Sequence, residues 1–246
     1  MPSLRLGIWA TVTYTAIIAV ATVLLFQVWD GPTDIRGVLL ALLPVQLIVV
    51  LLCLIVVFRI VGWQATGFGR LNRRGLAWFL PAWLVLAAMG WGIASDLTAE
   101  DLNGFDRLGL VVLVVTPFLI AFGEEVMFRG LLLRGALKRF QAPTAMMLSA
   151  ALFGLFHLVN GLAGQDAVET SQQILFAVIV GFFLAPIALR VGNLWPLIIW
   201  HWLWNIAIIL GQVAGLLHPL ALFGIAIQAV VSLWLWADII RQSRRI

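Results

Sequence analysis

The sequence predicts an all-α integral membrane protein: one domain over residues 1–246, about eight transmembrane helices, and both termini in the cytoplasm. Hydrophobic residues make up 63% of the 246 residues and charged residues only 11%, whereas a soluble domain carries about 25% charged residues. The apolar residues form eight runs, and crossing a bilayer takes about 20 residues. Basic and acidic residues alternate between the connections that separate these runs.

The eight apolar runs are the predicted spans one to eight. Each must be a helix in lipid, because a helix satisfies the polar groups of its own backbone. In chain order the runs are Leu6–Val28, Gly37–Phe58, Leu76–Ala94, Leu108–Leu137, Pro143–Val159, Gln172–Leu189, Trp195–Leu216 and His218–Trp236.

The charges in the connections predict the orientation. With a cytoplasmic N-terminus, 12 of the 15 basic residues fall in cytoplasmic segments and 8 of the 11 acidic residues in external ones. This is the positive-inside arrangement. The net charge of +4 therefore reflects membrane topology, and no nucleic-acid partner is expected. Compact loops and the lack of an organelle signal indicate a prokaryotic plasma (inner) membrane, with the lipid bilayer as a partner.

Span four carries two carboxylates and a guanidinium, Glu124, Glu125 and Arg129. A charged side chain at the bilayer centre costs about 2.5–3.5 kcal/mol on insertion scales. Glu125 and Arg129 are four residues apart in the acid-first order that favours an ion pair on one helix face. Glu124 is rotated by about 100° from Glu125 on a helix. It is therefore the freer carboxylate and the candidate general base.

Two later spans also carry polar groups. His157 lies in span five, and His201 and Asn205 lie in span seven. The last two are four residues apart, so both face one side of the helix, and an imidazole and an amide can donate hydrogen bonds to an oxyanion. Each group alone could equally be an interhelical contact. Together with a free glutamate, they form the set that a water-activating site needs.

Three motifs lie in order on successive hydrophobic segments: Glu-Glu-x-x-x-Arg at 124–129, Phe-x-x-x-His at 153–157 and His-x-x-x-Asn at 201–205. Together they resemble the CAAX protease and bacteriocin-processing (CPBP, or Abi) family. Its members are glutamate-type intramembrane endopeptidases related to the CAAX prenyl endopeptidase. The resemblance covers residues 108–210, the expected catalytic core.

The resemblance implies a role for each motif. Glu124 would be the general base that activates a water, assisted by His157, and His201 and Asn205 would form the oxyanion hole. The ion pair of span four would support the site. The implied fold is eight helices around a cavity open to the cytoplasm and to lipid, from which a peptide or membrane-protein substrate enters. No metal or other cofactor is implied.

Two alternatives stay open. His157, His201 and a glutamate could bind zinc in a metalloprotease, although the sequence has no His-Glu-x-x-His helix. The polar cluster could also belong to a transporter or to a binding scaffold without enzymatic activity; transporters often show internal repeats, and none is evident here. The sequence does not name the substrate: prenylated CAAX peptides, leader peptides of small secreted peptides and membrane-protein regulators all fit.

Overall fold

A computed structural model describes residues 2–98, 100–214 and 219–243. Within these ranges eight helices are long and apolar enough to cross a membrane, and no β-strand occurs. Spans one to eight have the observed bounds Leu4–Val28, Ile35–Val61, Gly75–Asp96, Arg107–Ala136, Ala142–Ala163, Ala167–Val191, Trp195–Val213 and Leu220–Gln242. The predicted all-α fold with eight spans is confirmed.

The observed span ends differ from the predicted ones by a few residues. Span six begins five residues earlier than predicted, at Ala167, because the Asp166 carboxylate caps the helix by accepting the backbone N–H groups of Val168 and Glu169. The first turn of span six is helical but polar, so the run of apolar residues did not include it. Two predicted ends, Leu216 and His218, lie outside the described residues, as do Arg244 and Arg245. The orientation in the membrane stays a prediction.

Several spans contain turns that are not α-helical. Spans one and two end in π-helical turns, and 3-10 turns begin span three and end span five. A short helix precedes span three, and the α-helix of span eight runs on beyond the apolar stretch. The π-helical turns are Leu24–Val28 and Val57–Val61, and the 3-10 turns are Gly75–Phe79 and His157–Ala163. The short helix is Trp63–Thr66, and the last α-helix is Pro219–Ser243.

Aspartates fix the starts of three spans at connections that the sequence predicts to be external. The side chains of Asp34, Asp106 and Asp166 each cap a helix N-terminus, where a carboxylate satisfies free backbone N–H groups. Asp106 also accepts two hydrogen bonds from the Arg36 guanidinium, at 3.0 and 2.7 Å, and these hold the pKa of the Asp106 carboxyl below its usual value. The beginnings of spans two and four are thereby joined.

Span four is the most deeply buried of the eight spans, with 67% of its apolar window inside the protein. It packs against spans one, two, five and seven. A side chain of span four that points away from lipid therefore meets another helix, and polar groups on it can find partners there. The fold places the most charged of the apolar segments at its centre.

Candidate active site

The helix of span four changes its hydrogen bonding at the two glutamates. It is α-helical over Arg107–Glu124, π-helical over Glu125–Leu132 and α-helical again over Leu133–Ala136. The expectation of ordinary α-helical geometry through the motif was therefore wrong. A π-helix has i→i+5 hydrogen bonds, is rare, and occurs frequently at functional sites.

The predicted ion pair between Glu125 and Arg129 is confirmed. Arg129 Nη1 donates to Glu125 Oε1 at 2.9 Å, and both side chains are completely buried. The guanidinium also lies over the ring of Phe153, 4.0 Å from its centroid, a cation–π contact that strengthens when water is excluded. The pair thus joins span four to span five.

His201 lies between the two glutamates. Its Nδ1 is 2.9 Å from Glu125 Oε1, and its Nε2 is 3.6 Å from Glu124 Oε2. An ionised carboxylate only accepts hydrogen bonds, so the Nδ1–H group of His201 is the donor and Glu125 Oε1 the acceptor. The Nε2 atom is then directed toward Glu124. Glu125 Oε1 accepts from both Arg129 and His201, and this second bond was not predicted.

His157 is connected to His201 and the glutamates through contacts with Phe153. Its Nδ1 is 2.9 Å from the Phe153 carbonyl oxygen, so Nδ1 is the donor and Nε2 is the nitrogen without a proton in the neutral ring. The Phe153 ring is edge-on to both imidazoles, with centroid distances of 5.1 Å to His157 and 6.0 Å to His201. Among the described residues no hydrogen bond joins His157 directly to Glu124.

Asn205 follows His201 by four residues on the same α-helix. Its side chain is partly buried, and no hydrogen bond links it to another residue in the part of the chain that the structure describes. The structure thus brings Glu124, Glu125, Arg129 and His201 into direct contact. It places His157 beside them through Phe153 and leaves the Asn205 amide free.

Span seven is held in place at both its start and its middle. The Leu194 N–H donates to the Gly67 carbonyl at 2.9 Å, and the Asn193 amide donates to the Gly69 carbonyl. Further along, the Trp202 indole N–H donates to the Val114 carbonyl of span four at 2.9 Å. These contacts fix the axial position of span seven relative to span four, and therefore the position of His201.

The connection before span three also packs on the motif itself. Gly130 follows Arg129, and a Cβ atom at this position would lie 2.8 Å from Thr66 Cγ2 and 3.0 Å from the Thr66 carbonyl oxygen. Only glycine allows this close approach. The glycine after Arg129 is therefore explained by packing against the connection that holds span seven.

The glutamates and His201 are nearly closed off from the surface, with 5% of Glu124 and 6% of His201 exposed. Two clefts of about 470 and 590 Å³ occur near residues 70–74 and between spans three and seven. None of the six predicted site residues lines either cleft. The cavity implied by the family resemblance stays a prediction.

A metal centre was one of the alternatives. Within residues 2–98, 100–214 and 219–243, no three His, Cys, Asp or Glu side chains group in a way that could hold a metal ion. The Phe153 ring contacts both histidines, and Nδ1 of His201 is engaged by Glu125.

Sequence reasoning missed the central part that Phe153 plays. It entered the prediction only as a spacing residue of its motif, yet its ring contacts Arg129, His157 and His201. The available signal was its position four residues before His157, which places both on one helix face. The contacts to span four and span seven depend on tertiary packing and had no local signal.

Comparison with protein families gives a match over residues 106–207 to the family described as type II CAAX prenyl endopeptidase Rce1-like. The matched segment contains all three motifs and all six predicted site residues, and it confirms the resemblance inferred from those motifs. Searches of curated proteins and of solved structures found no match. The shared segment corresponds to spans four to six and most of span seven, which carry the site.

Replacing Arg129 by glutamine should destabilise the protein strongly. Removing one partner of a buried pair costs about 3–5 kcal/mol because the other charge stays buried and unpaired. We expect a clearly lower unfolding midpoint in detergent for Arg129→Gln. Arg36→Gln, which breaks the exposed pair with Asp106, is the matched control and should change the midpoint little. Equal midpoints for the two variants would contradict a supporting role for the buried pair.

Proposed function

Since residues 106–207 match the family described as type II CAAX prenyl endopeptidase Rce1-like, we propose that this membrane protein is a protease that cuts a peptide bond with a water activated by Glu124. The observation that carries the proposal is the asymmetry of the two glutamates. Glu125 accepts two hydrogen bonds at Oε1, and only its Oε2 is without a partner. Among the described residues no hydrogen bond is donated to the Glu124 carboxylate, whose Oε2 is buried. Glu124 is thus the carboxylate with unused capacity to accept a proton.

In the proposed reaction, Glu124 takes a proton from a water molecule as the water oxygen attacks the scissile carbonyl carbon. The proton then passes to the nitrogen of the leaving amine as the carbon–nitrogen bond breaks. His157 assists by accepting a hydrogen bond from the water at Nε2, the nitrogen that its Phe153 contact leaves free. Glu125 and Arg129 take no part in proton transfer and hold the site together.

His201 and Asn205 are the proposed donors to the oxyanion. Because Nδ1–H of His201 is committed to Glu125, only Nε2 can donate to the substrate, and this requires a doubly protonated ring. The free amide of Asn205 is the second donor. One such donor is worth about 2.7–4 kcal/mol in the transition state.

The substrate is a peptide or membrane protein that enters from the cytoplasmic side or from lipid. Prenylated CAAX peptides, leader peptides and membrane-protein regulators are the candidate classes, and the name of the matched family favours the first. The proposed location is a prokaryotic plasma membrane with both chain termini in the cytoplasm. The alternative of a transporter loses support from the family match; reconstituted protein that moves a solute and cleaves no peptide would restore it.

Glu124→Gln should abolish cleavage and leave the fold intact, because glutamine keeps the size of the side chain and cannot accept the proton. The measurement is a proteomic comparison of cells that express wild type or Glu124→Gln, in which uncleaved precursors should accumulate in the variant. Glu169→Gln, at an exposed acidic residue in the first turn of span six, is the control and should process like wild type. Normal processing by folded Glu124→Gln would refute the assignment.

Asn205→Ala should lower kcat by about 10²–10³ with little change in KM, because an oxyanion donor acts mainly in the transition state. Cleavage of a precursor peptide identified in the proteomic comparison gives both constants. Gln212→Ala removes another amide from span seven, at an exposed position, and should leave both constants unchanged. Equal kcat values for Asn205→Ala and wild type would remove Asn205 from the oxyanion hole.

Activity should survive treatment with a strong zinc chelator, because among the described residues no three His, Cys, Asp or Glu side chains are grouped as metal ligands, and Nδ1 of His201 is engaged by Glu125. Purified protein is dialysed against the chelator, its metal content is measured, and cleavage of the same precursor peptide is followed. Loss of cleavage that added zinc restores would establish the metalloprotease alternative.

A further inference from the structure

The single tyrosine of the chain, Tyr14, is packed into the site from span one. Tyr14 is completely buried. Its ring lies 5.6 Å from that of Phe156, the residue before His157. Span one lies outside the segment that matches the family model, so none of the motifs pointed to this residue.

The hydroxyl of Tyr14 rests against the backbone directly before Glu124. A Cβ atom added at Gly123 would lie 2.8 Å from Tyr14 Oη, which is closer than a real side chain tolerates. The glycine before the two glutamates therefore makes room for this hydroxyl.

Tyr14 Oη, beside Gly123, and Oε2 of the next residue, Glu124, are both buried without a hydrogen-bond partner among the described residues. Buried polar atoms in proteins nearly always have a partner, and a bound water commonly serves as that partner. One atom belongs to a hydroxyl donor and the other to a carboxylate acceptor. Their roles are complementary, because a water between them would accept from the hydroxyl and donate to the carboxylate.

We propose that Tyr14 is a positioning residue whose hydroxyl donates a hydrogen bond, through one water molecule, to the Glu124 carboxylate. The water accepts the hydrogen of the Tyr14 hydroxyl and donates its own to Glu124 Oε2. This bond fixes the rotation of the carboxylate and leaves its other oxygen directed at the water that is activated. The catalytic part of this inference rests on the proposed function; the bond itself does not.

The bond is tested by a double-mutant cycle on the unfolding midpoint of the purified protein in detergent. Tyr14→Phe removes only the hydroxyl, and Glu124→Met removes the acceptor at similar length. We expect the shift caused by Tyr14→Phe to shrink in the Glu124→Met background, since the shared bond is already lost there. Thr11→Val, which removes another buried hydroxyl of span one that has no partner among the described residues, should combine additively with Glu124→Met. Additive shifts for Tyr14→Phe as well would overturn the proposal.

Cleavage assays add a readout that a purely structural role would not move. Tyr14→Phe should lower kcat about tenfold with KM unchanged, the effect of one hydrogen bond to a charged group, and Thr11→Val should cleave like wild type. Coupling in the cycle with no cleavage by wild type would keep the bond and defeat the endopeptidase proposal. Cleavage by wild type with additive shifts and an unchanged kcat would defeat the role of Tyr14 alone.

Discussion

Everything at this site depends on placing the Glu125 carboxylate in a buried environment. A charge without water needs partners, and Glu125 Oε1 has two, Arg129 on its own span and His201 on span seven. The second bond sets the orientation of the imidazole and directs Nε2 toward Glu124. The need of the buried Glu125 carboxylate for hydrogen-bond donors thereby positions His201 on span seven.

The Phe153 ring contacts Arg129 and both histidines and so holds these three side chains relative to one another. Its face receives the Arg129 guanidinium, and its edges meet both histidines. These contacts are apolar or cation–π, so they exclude water without using the hydrogen-bonding atoms that the proposed chemistry requires. The site can therefore be preorganised by packing while His157 Nε2 and the Asn205 amide stay available to a substrate.

The sequence predicted the parts of this structure that depend on local interactions. Eight spans were predictable because each helix in lipid satisfies its own backbone, and the Glu125–Arg129 pair was predictable because both residues lie on one helix. The bond from His201 to Glu125 and the place of Tyr14 were not predictable, because they depend on the axial position of one span relative to another. The π-helix at Glu125–Leu132 has no local sequence signal that we recognise.

The difference between two adjacent glutamates is the most informative feature of the site. Glu124 ends the α-helical part of span four and Glu125 begins the π-helical part, so the change of helix type falls between them. Glu125 meets Arg129 and His201, whereas Glu124 has His201 Nε2 at 3.6 Å and Tyr14 beside the preceding glycine. A general base needs a lone pair that no strong donor occupies. Neighbouring residues with the same chemistry can thus differ in role because their partners differ, and this supports Glu124 as the base and Glu125 as its support.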